Sequence, residues 1–134
     1  MSIRGWVLAT TLLITGAGCG NSNLTPPTSP TPPPTTETFS GSLNPNGAAT
    51  YPFIALAGGT VTAQVTSVNP DVVIGVSLGT WNTVTCQIII ANDKAIAGSI
   101  VIGTVASVGN LCVRVYDVGD VKQSTAYEIQ IVHP

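Results

Sequence analysis

From Glu37 onward, apolar and polar residues alternate with a period of two. In the run Val61 to Val68, the residues Val61, Ala63 and Val65 fall on one side and Thr62, Gln64 and Thr66 on the other, as in a strand with one buried face. Val72, Ile74, Val76 and Leu78 likewise share a side. So do Leu111, Val113 and Val115 against Cys112, Arg114 and Tyr116, and Tyr127, Ile129 and Ile131 against Glu128 and Gln130. Turn chemistry separates the runs: Asn44-Pro45-Asn46-Gly47, Ala57-Gly58-Gly59, Asn69-Pro70-Asp71, Ala91-Asn92-Asp93-Lys94 and Asp117-Val118-Gly119-Asp120. No window carries a helical stripe. The spacing predicts about eight strands, near 37–43, 48–56, 60–68, 72–78, 83–90, 95–105, 111–117 and 126–132. Short strands at such regular intervals predict an all-β fold, a single antiparallel β-sandwich over residues 37–134.

Two segments precede that domain. Residues 1–18 have the layout of an export signal: Arg4 is a short positive start, Trp6 to Ile14 an apolar stretch, and Thr15 to Gly18 a small-residue tail. At about nine residues this stretch falls well short of the roughly 20 that a membrane-spanning helix needs. The tail and the residue after it, Gly16-Ala17-Gly18-Cys19, resemble the lipobox of bacterial lipoprotein precursors. The resemblance implies cleavage before Cys19, which becomes the mature N-terminus and carries a thioether-linked diacylglycerol and an amide-linked acyl chain. Two or more acyl chains hold a protein on a bilayer essentially permanently. Gly20 stands where an inner-membrane retention signal places Asp, so the implied location is the outer membrane of a bacterial cell envelope. Gly16 stands where the family usually has an aliphatic residue, and ordinary signal peptidase also accepts small residues here; plain secretion is the alternative. Cys19 and the Pro/Thr-rich stretch to Thr36 then form a tether, 19–36, with six prolines and almost nothing to bury. It should lack tertiary structure and, in polyproline II at about 3.1 Å per residue, reach at most about 50 Å.

Composition narrows the partners. Charged residues make up 7% of the chain, against about 25% in an average soluble protein. Without Arg4, three cations face six carboxylates. A surface so poor in cations cannot neutralise phosphates, which excludes electrostatic nucleic-acid binding. It has no attraction for anionic lipid either, so membrane contact would run through the anchor on Cys19.

The stretches Phe39 to Val65, Asp71 to Gly79, Leu111 to Asp117 and Ala126 to Val132 are similar to the bacterial pre-peptidase C-terminal domain and related small jelly-roll sandwiches. What carries the likeness is a Tyr-x-Phe strand at Tyr51-Pro52-Phe53, a glycine turn, a Val-rich strand, an Asp-started central strand, and the closing pair Val113-Arg114-Val115-Tyr116 and Tyr127-Glu128-Ile129. The resemblance implies a jelly-roll topology and a non-catalytic module of a secreted protein, with calcium or polysaccharide as ligands of some members. No peptidase is attached here, so an enzyme's appendage is not the expected role.

With Cys19 lipidated, Cys86 and Cys112 are an even pair in an oxidising compartment, which predicts a disulfide over buried free thiols or a metal site. No catalytic residue is expected. The sole histidine, His133, stands next to Pro134 at a terminus expected to fray, and no Gly-x-Ser-x-Gly elbow, phosphate loop or metal-ligating His cluster is expected. Asp71 and Asp93 read as turn caps. Asp117 and Asp120 would give two oxygens to a calcium ion that needs six to eight, so no metal and no cofactor is expected. Candidate ligand contacts are Trp81, in a predicted loop, and Tyr116, Asp117 and Asp120; Trp81 reads either as a stacking platform or as cover for one end of the sandwich. Arg114 is expected to stack on Tyr116 or to pair with Glu128. Two functions follow: an envelope module presenting a surface to polysaccharide or to another envelope protein, or a structural or assembly subunit pairing through exposed strand edges.

Overall fold

The computed structural model describes residues 25–134; the expected signal segment 1–18 and Cys19 lie outside them. Residues 25–34 are exposed and carry no secondary structure. Eight strands follow: β1 Thr35–Leu43, β2 Ala48–Ala55, β3 Gly59–Asn69, β4 Ile74–Trp81, β5 Cys86–Ala95, β6 Ile100–Val105, β7 Gly109–Tyr116 and β8 Thr125–His133. The described residues contain no helix.

Pairing follows one rule. β1 lies against β8, β2 against β7, β3 against β6 and β4 against β5, all antiparallel, as if one long hairpin had been rolled up. Two further contacts, β3 with β8 and β4 with β7, close it into sheets of order β1-β8-β3-β6 and β2-β7-β4-β5. This is the double-sheet jelly roll.

The core is made of the alternating positions. Val61, Ala63 and Val65 on β3, Ile74, Val76 and Leu78 on β4, Val113 and Val115 on β7, and Tyr127, Ile129 and Ile131 on β8 are all buried between the sheets. On β3 strict alternation would turn Val68 outward. A register shift between Val65 and Ser67 inserts Thr66 as an extra residue, and Val68 returns to the core.

Three expectations need correction. The first concerns β5, which runs straight through the predicted turn Ala91-Asn92-Asp93-Lys94, so Asp93 is a strand residue and not a turn cap. The polar run is tolerated because β5 is an edge strand: a bulge sets Ile74 and Val76 opposite Ala95 and Asn92, and the Asn92 side chain accepts the Lys94 N–H at 3.0 Å. The reversal comes later, at Ile96–Ser99, where Gly98 takes φ 91° and Ser99 N–H donates to Ile96 O at 2.9 Å.

The second is His133, which is buried rather than frayed. Its Nε2 lies 2.9 Å from Glu37 Oε1, its ring is 5.0 Å from that of Phe53, and Leu56 N–H donates to the Pro134 carbonyl at 2.8 Å. The third is Arg114, which cannot pair with Glu128. Glu128 is on the other sheet, where its Oε1 accepts from the Thr66 hydroxyl at 2.9 Å.

Candidate functional site

The outward positions of β4 are Gly75, Ser77 and Gly79, all small. Directly opposite them on β7 stand Tyr116, Arg114 and Cys112. Larger neighbours therefore lie down over β4, and the strand is buried on both faces from Ile74 to Gly79.

At one end the Tyr116 ring occupies the space over Gly75, where a Cβ would overlap it. Its hydroxyl donates to Asp93 Oδ1, and the Arg114 guanidinium lies 5.7 Å from the ring centroid. Burial, then the Asp93 hydrogen bond and charge, push the phenol up to about 12, with Arg114 pulling weakly the other way. Beside the ring opens a cleft of about 640 Å³ lined by Val73, Asp93, Lys94, Tyr116, Val118 and Asp120.

At the other end the outer face carries a disulfide between Cys86 and Cys112, whose Cα atoms are 5.8 Å apart. Strands that flank a third lie about 9.5 Å apart. The start of β5 must therefore lean over β4, and it does so above Gly79, where a Cβ would overlap the Gln87 carbonyl. The bulge that makes Ile89 an extra residue between the Leu78 and Gly79 pairings supplies the bend.

Trp81 ends β4 opposite Cys86, at the head of a turn in which Asn82 Oδ1 accepts the N–H groups of Val84 and Thr85 at 3.0 and 2.7 Å. It is a strand residue, not a loop residue, and it is partly exposed. Six strand positions separate it from Gly75 and the ring above it, about 20 Å. Trp81 and Tyr116 are thus not parts of one platform. Of the remaining rings, Phe53 and Tyr127 are buried in the core, and Phe39 and Tyr51 stack on each other at 4.7 Å against it.

The carboxylates separate too. Asp117 holds the β7–β8 loop: its Oδ2 accepts the Asn46 N–H at 2.8 Å and its Oδ1 those of Gly119 and Val121 at 2.7 and 3.0 Å. These amides, Asn46 and Val121 foremost, hold its carboxyl below the usual carboxylate range. Asp120 faces the cleft instead. Among the described residues no three His, Cys, Asp or Glu side chains converge as metal ligands would. Asp93 and Lys94 enter the site although the sequence reading assigns them to a turn; the signal that places them is the edge-strand bulge, which pattern alone does not reveal.

The run Gly75-Val76-Ser77-Leu78-Gly79 does spell the Gly-x-Ser-x-Gly pattern of a nucleophile elbow, which corrects the expectation that the chain has none. An elbow needs a tight strand-to-helix turn with an exposed hydroxyl. Ser77 is fully buried in mid-strand, its Oγ has no hydrogen-bond partner, and His133 is held by Glu37 on the other sheet. Nothing in this surrounding activates it. Compared with known protein families and curated proteins, the chain matches no family model and no curated sequence.

Proposed function

We propose that this chain is a non-catalytic, lipid-anchored module of the bacterial cell envelope that binds polysaccharide at the Tyr116 cleft. One observation carries the reading: an aromatic ring laid over a glycine, pinned through its hydroxyl, with Asp93, Asp120 and Lys94 lining the open cleft beside it. A sugar ring stacks its C–H face on such a platform, while carboxylates accept from its hydroxyls and an ammonium donates. The platform is set before the ligand arrives, so little ordering entropy is lost on binding. The lipobox-like Cys19, the proline tether and the likeness to pre-peptidase C-terminal domains support placement at the outer membrane, with secretion as the alternative.

Titration calorimetry of the native protein and of Tyr116→Ala against a polysaccharide panel tests the reading. At least one polysaccharide should bind natively, and tenfold or more weakly to the variant. Equal binding by both proteins, or none by the native one, overturns it. A second reading, a structural or assembly subunit, is favoured by the exposed isoleucines of the edge strands, Ile88, Ile89 and Ile90 on β5 and Ile100 and Ile102 on β6. It requires a discrete oligomer in light scattering.

A further inference from the structure

The sandwich is incompletely filled between β5 and β6, the edge strands that face each other across the two sheets. They are joined through the Ile96–Ser99 turn and open further along, where a cavity of about 390 Å³ is walled by Phe53, Val61, Leu78 and Leu111, with Ile90 and Ile102 among its lining. Two local features make it. On β6 the core-facing positions are Val101, Gly103 and Val105, so the middle one has no side chain. A Cβ at Gly103 would stand 3.6 Å from Leu78 Cδ1 and 4.0 Å from Ile90 Cγ2, ordinary contacts, so the space is free. On β5 the bulge at Ile89 leaves that residue at the cavity's solvent rim, part of the lining yet 73% exposed.

We propose that this cavity is a binding site for a single alkyl chain. Protein interiors are normally packed without such voids. A cavity of about 150 Å³ lined by Leu, Ile and Phe takes a benzene, so at the same volume per carbon this one takes a chain of up to about fifteen carbons. The lining contains no charged residue and one hydroxyl, that of Thr104. A charged ligand has no counter-ion there, and a hydrocarbon needs none. Ile102, 56% exposed, extends the apolar surface to the solvent side, where a head group would stay in water.

The chain itself offers one source. Thr35 pairs with His133, Val132 pairs with both Thr36 and Thr62, and Thr62 pairs with Ile102. The start of β1 is therefore at the cavity's end of the sandwich, about 14 Å from it across three strand spacings. The sixteen residues from Gly20 to Thr35 reach about 50 Å when extended, so an acyl chain on Cys19 comes within range. This source rests on the lipid-anchor reading; the site does not.

The test uses the full chain with Cys19→Ala and 1-decanol as the probe. Decanol should raise the thermal unfolding midpoint saturably, since a ligand that binds only the folded state stabilises it. Gly103→Leu, which fills the cavity, and Ile102→Asp, at an exposed position that the fold does not need, should each abolish the rise. No rise in the parent, or an undiminished rise in Ile102→Asp, overturns the proposal. So does a dimer that Ile102→Asp dissolves, because the surface is then an interface between copies. Hydrogen exchange at Ile100–Val105 then separates the sources. Stronger protection in native protein held in phosphatidylcholine vesicles than in Cys19→Ala assigns the site to the chain's own anchor, and equal protection to a separate amphiphile. Tyr116→Ala should leave decanol binding intact, so failure at either site is recognised independently of the other.

Discussion

Removing the Cys86–Cys112 bridge should cost the domain a large share of its stability. The perturbation is the double variant Cys86→Ala, Cys112→Ala, which avoids leaving a free thiol. The two cysteines are 26 residues apart, and in the chain-entropy model a loop of that length restricts the unfolded state by about 3.5 kcal/mol. Cys112 is fully buried, so loss of its sulfur adds a small packing term, up to about 1 kcal/mol. A total near 4 kcal/mol stands against the 5–15 kcal/mol that a whole domain usually has. In urea, with a slope of about 1.5 kcal/mol/M, the midpoint should fall by about 2–3 M, and the slope should rise somewhat because the unfolded chain without the bridge exposes more surface. In a thermal scan the midpoint should drop by about 15–30 °C. A urea shift below about 0.5 M would refute the reasoning. It would mean that β5 stays folded over Gly79 without the covalent link and that the unfolded chain is already as restricted as the bridge makes it.

Other expected outcomes concern the outer face and the β7–β8 loop. Gly75→Ala should lift the Tyr116 ring off β4, break its bond to Asp93 and cost about 1–3 kcal/mol, read in urea melts and as earlier phenol ionisation by ultraviolet titration. Because Tyr116 ionises near 12 in the folded protein and near 10 when unfolded, its contribution is complete below pH 10 and is lost as pH rises to 12; a Tyr116→Phe variant should show a shallower loss over that window. Asp117 shows the opposite sign. Its folded-state pKa lies below the ordinary 3.8, so its contribution is present above that value and lost as pH falls beneath it, and Asp117→Asn should flatten the acid limb of the stability curve. Ser77→Ala should stabilise the protein by about 1 kcal/mol in urea melts, because it removes a buried hydroxyl with no partner and keeps the Cβ; a loss of similar size would show that the hydroxyl is in fact bonded.

Much of the framework was legible where burial and alternation agree. The faces of Val61 to Val65, Val113 to Val115 and Tyr127 to Ile131 followed from period two alone, because each strand has one side in the core. Strand order was not legible that way, since alternation does not say which strand is a neighbour; the jelly roll came from resemblance. The pattern misplaces β5 because Asn92 and Asp93 are turn formers in isolation, and only an edge position with a bulge lets a strand keep them. Asp93 and Lys94 therefore carry no local signal of belonging to the cleft. The burial of His133 is not legible in the sequence because a terminus is held by tertiary partners, here Glu37 and Phe53, which local pattern does not show. The cavity had a visible signal in Val101-Ile102-Gly103-Thr104-Val105, a glycine at an inward position between two valines, but its meaning depends on what faces it.

The two surface features of the β2-β7-β4-β5 sheet have one origin. A strand whose outward residues are Gly75, Ser77 and Gly79 cannot cover its own backbone, and three β7 side chains stand opposite those positions. Whatever lies down on β4 is fixed by what the glycines leave room for: a ring at Gly75 and the Gln87 backbone with the bridge at Gly79. The sheet is thus clamped at the Trp81 end by a covalent link and presents its platform at the end with no such link. Rigidity at the first end bears on the second through β5, which carries both Cys86 and Asp93. If the β5 strand transmits that constraint, reduction of the bridge should weaken polysaccharide binding at Tyr116 even under conditions where the protein stays folded. If the two ends are independent, affinity is unchanged by reduction and only stability falls, and titration calorimetry with and without reductant separates these outcomes.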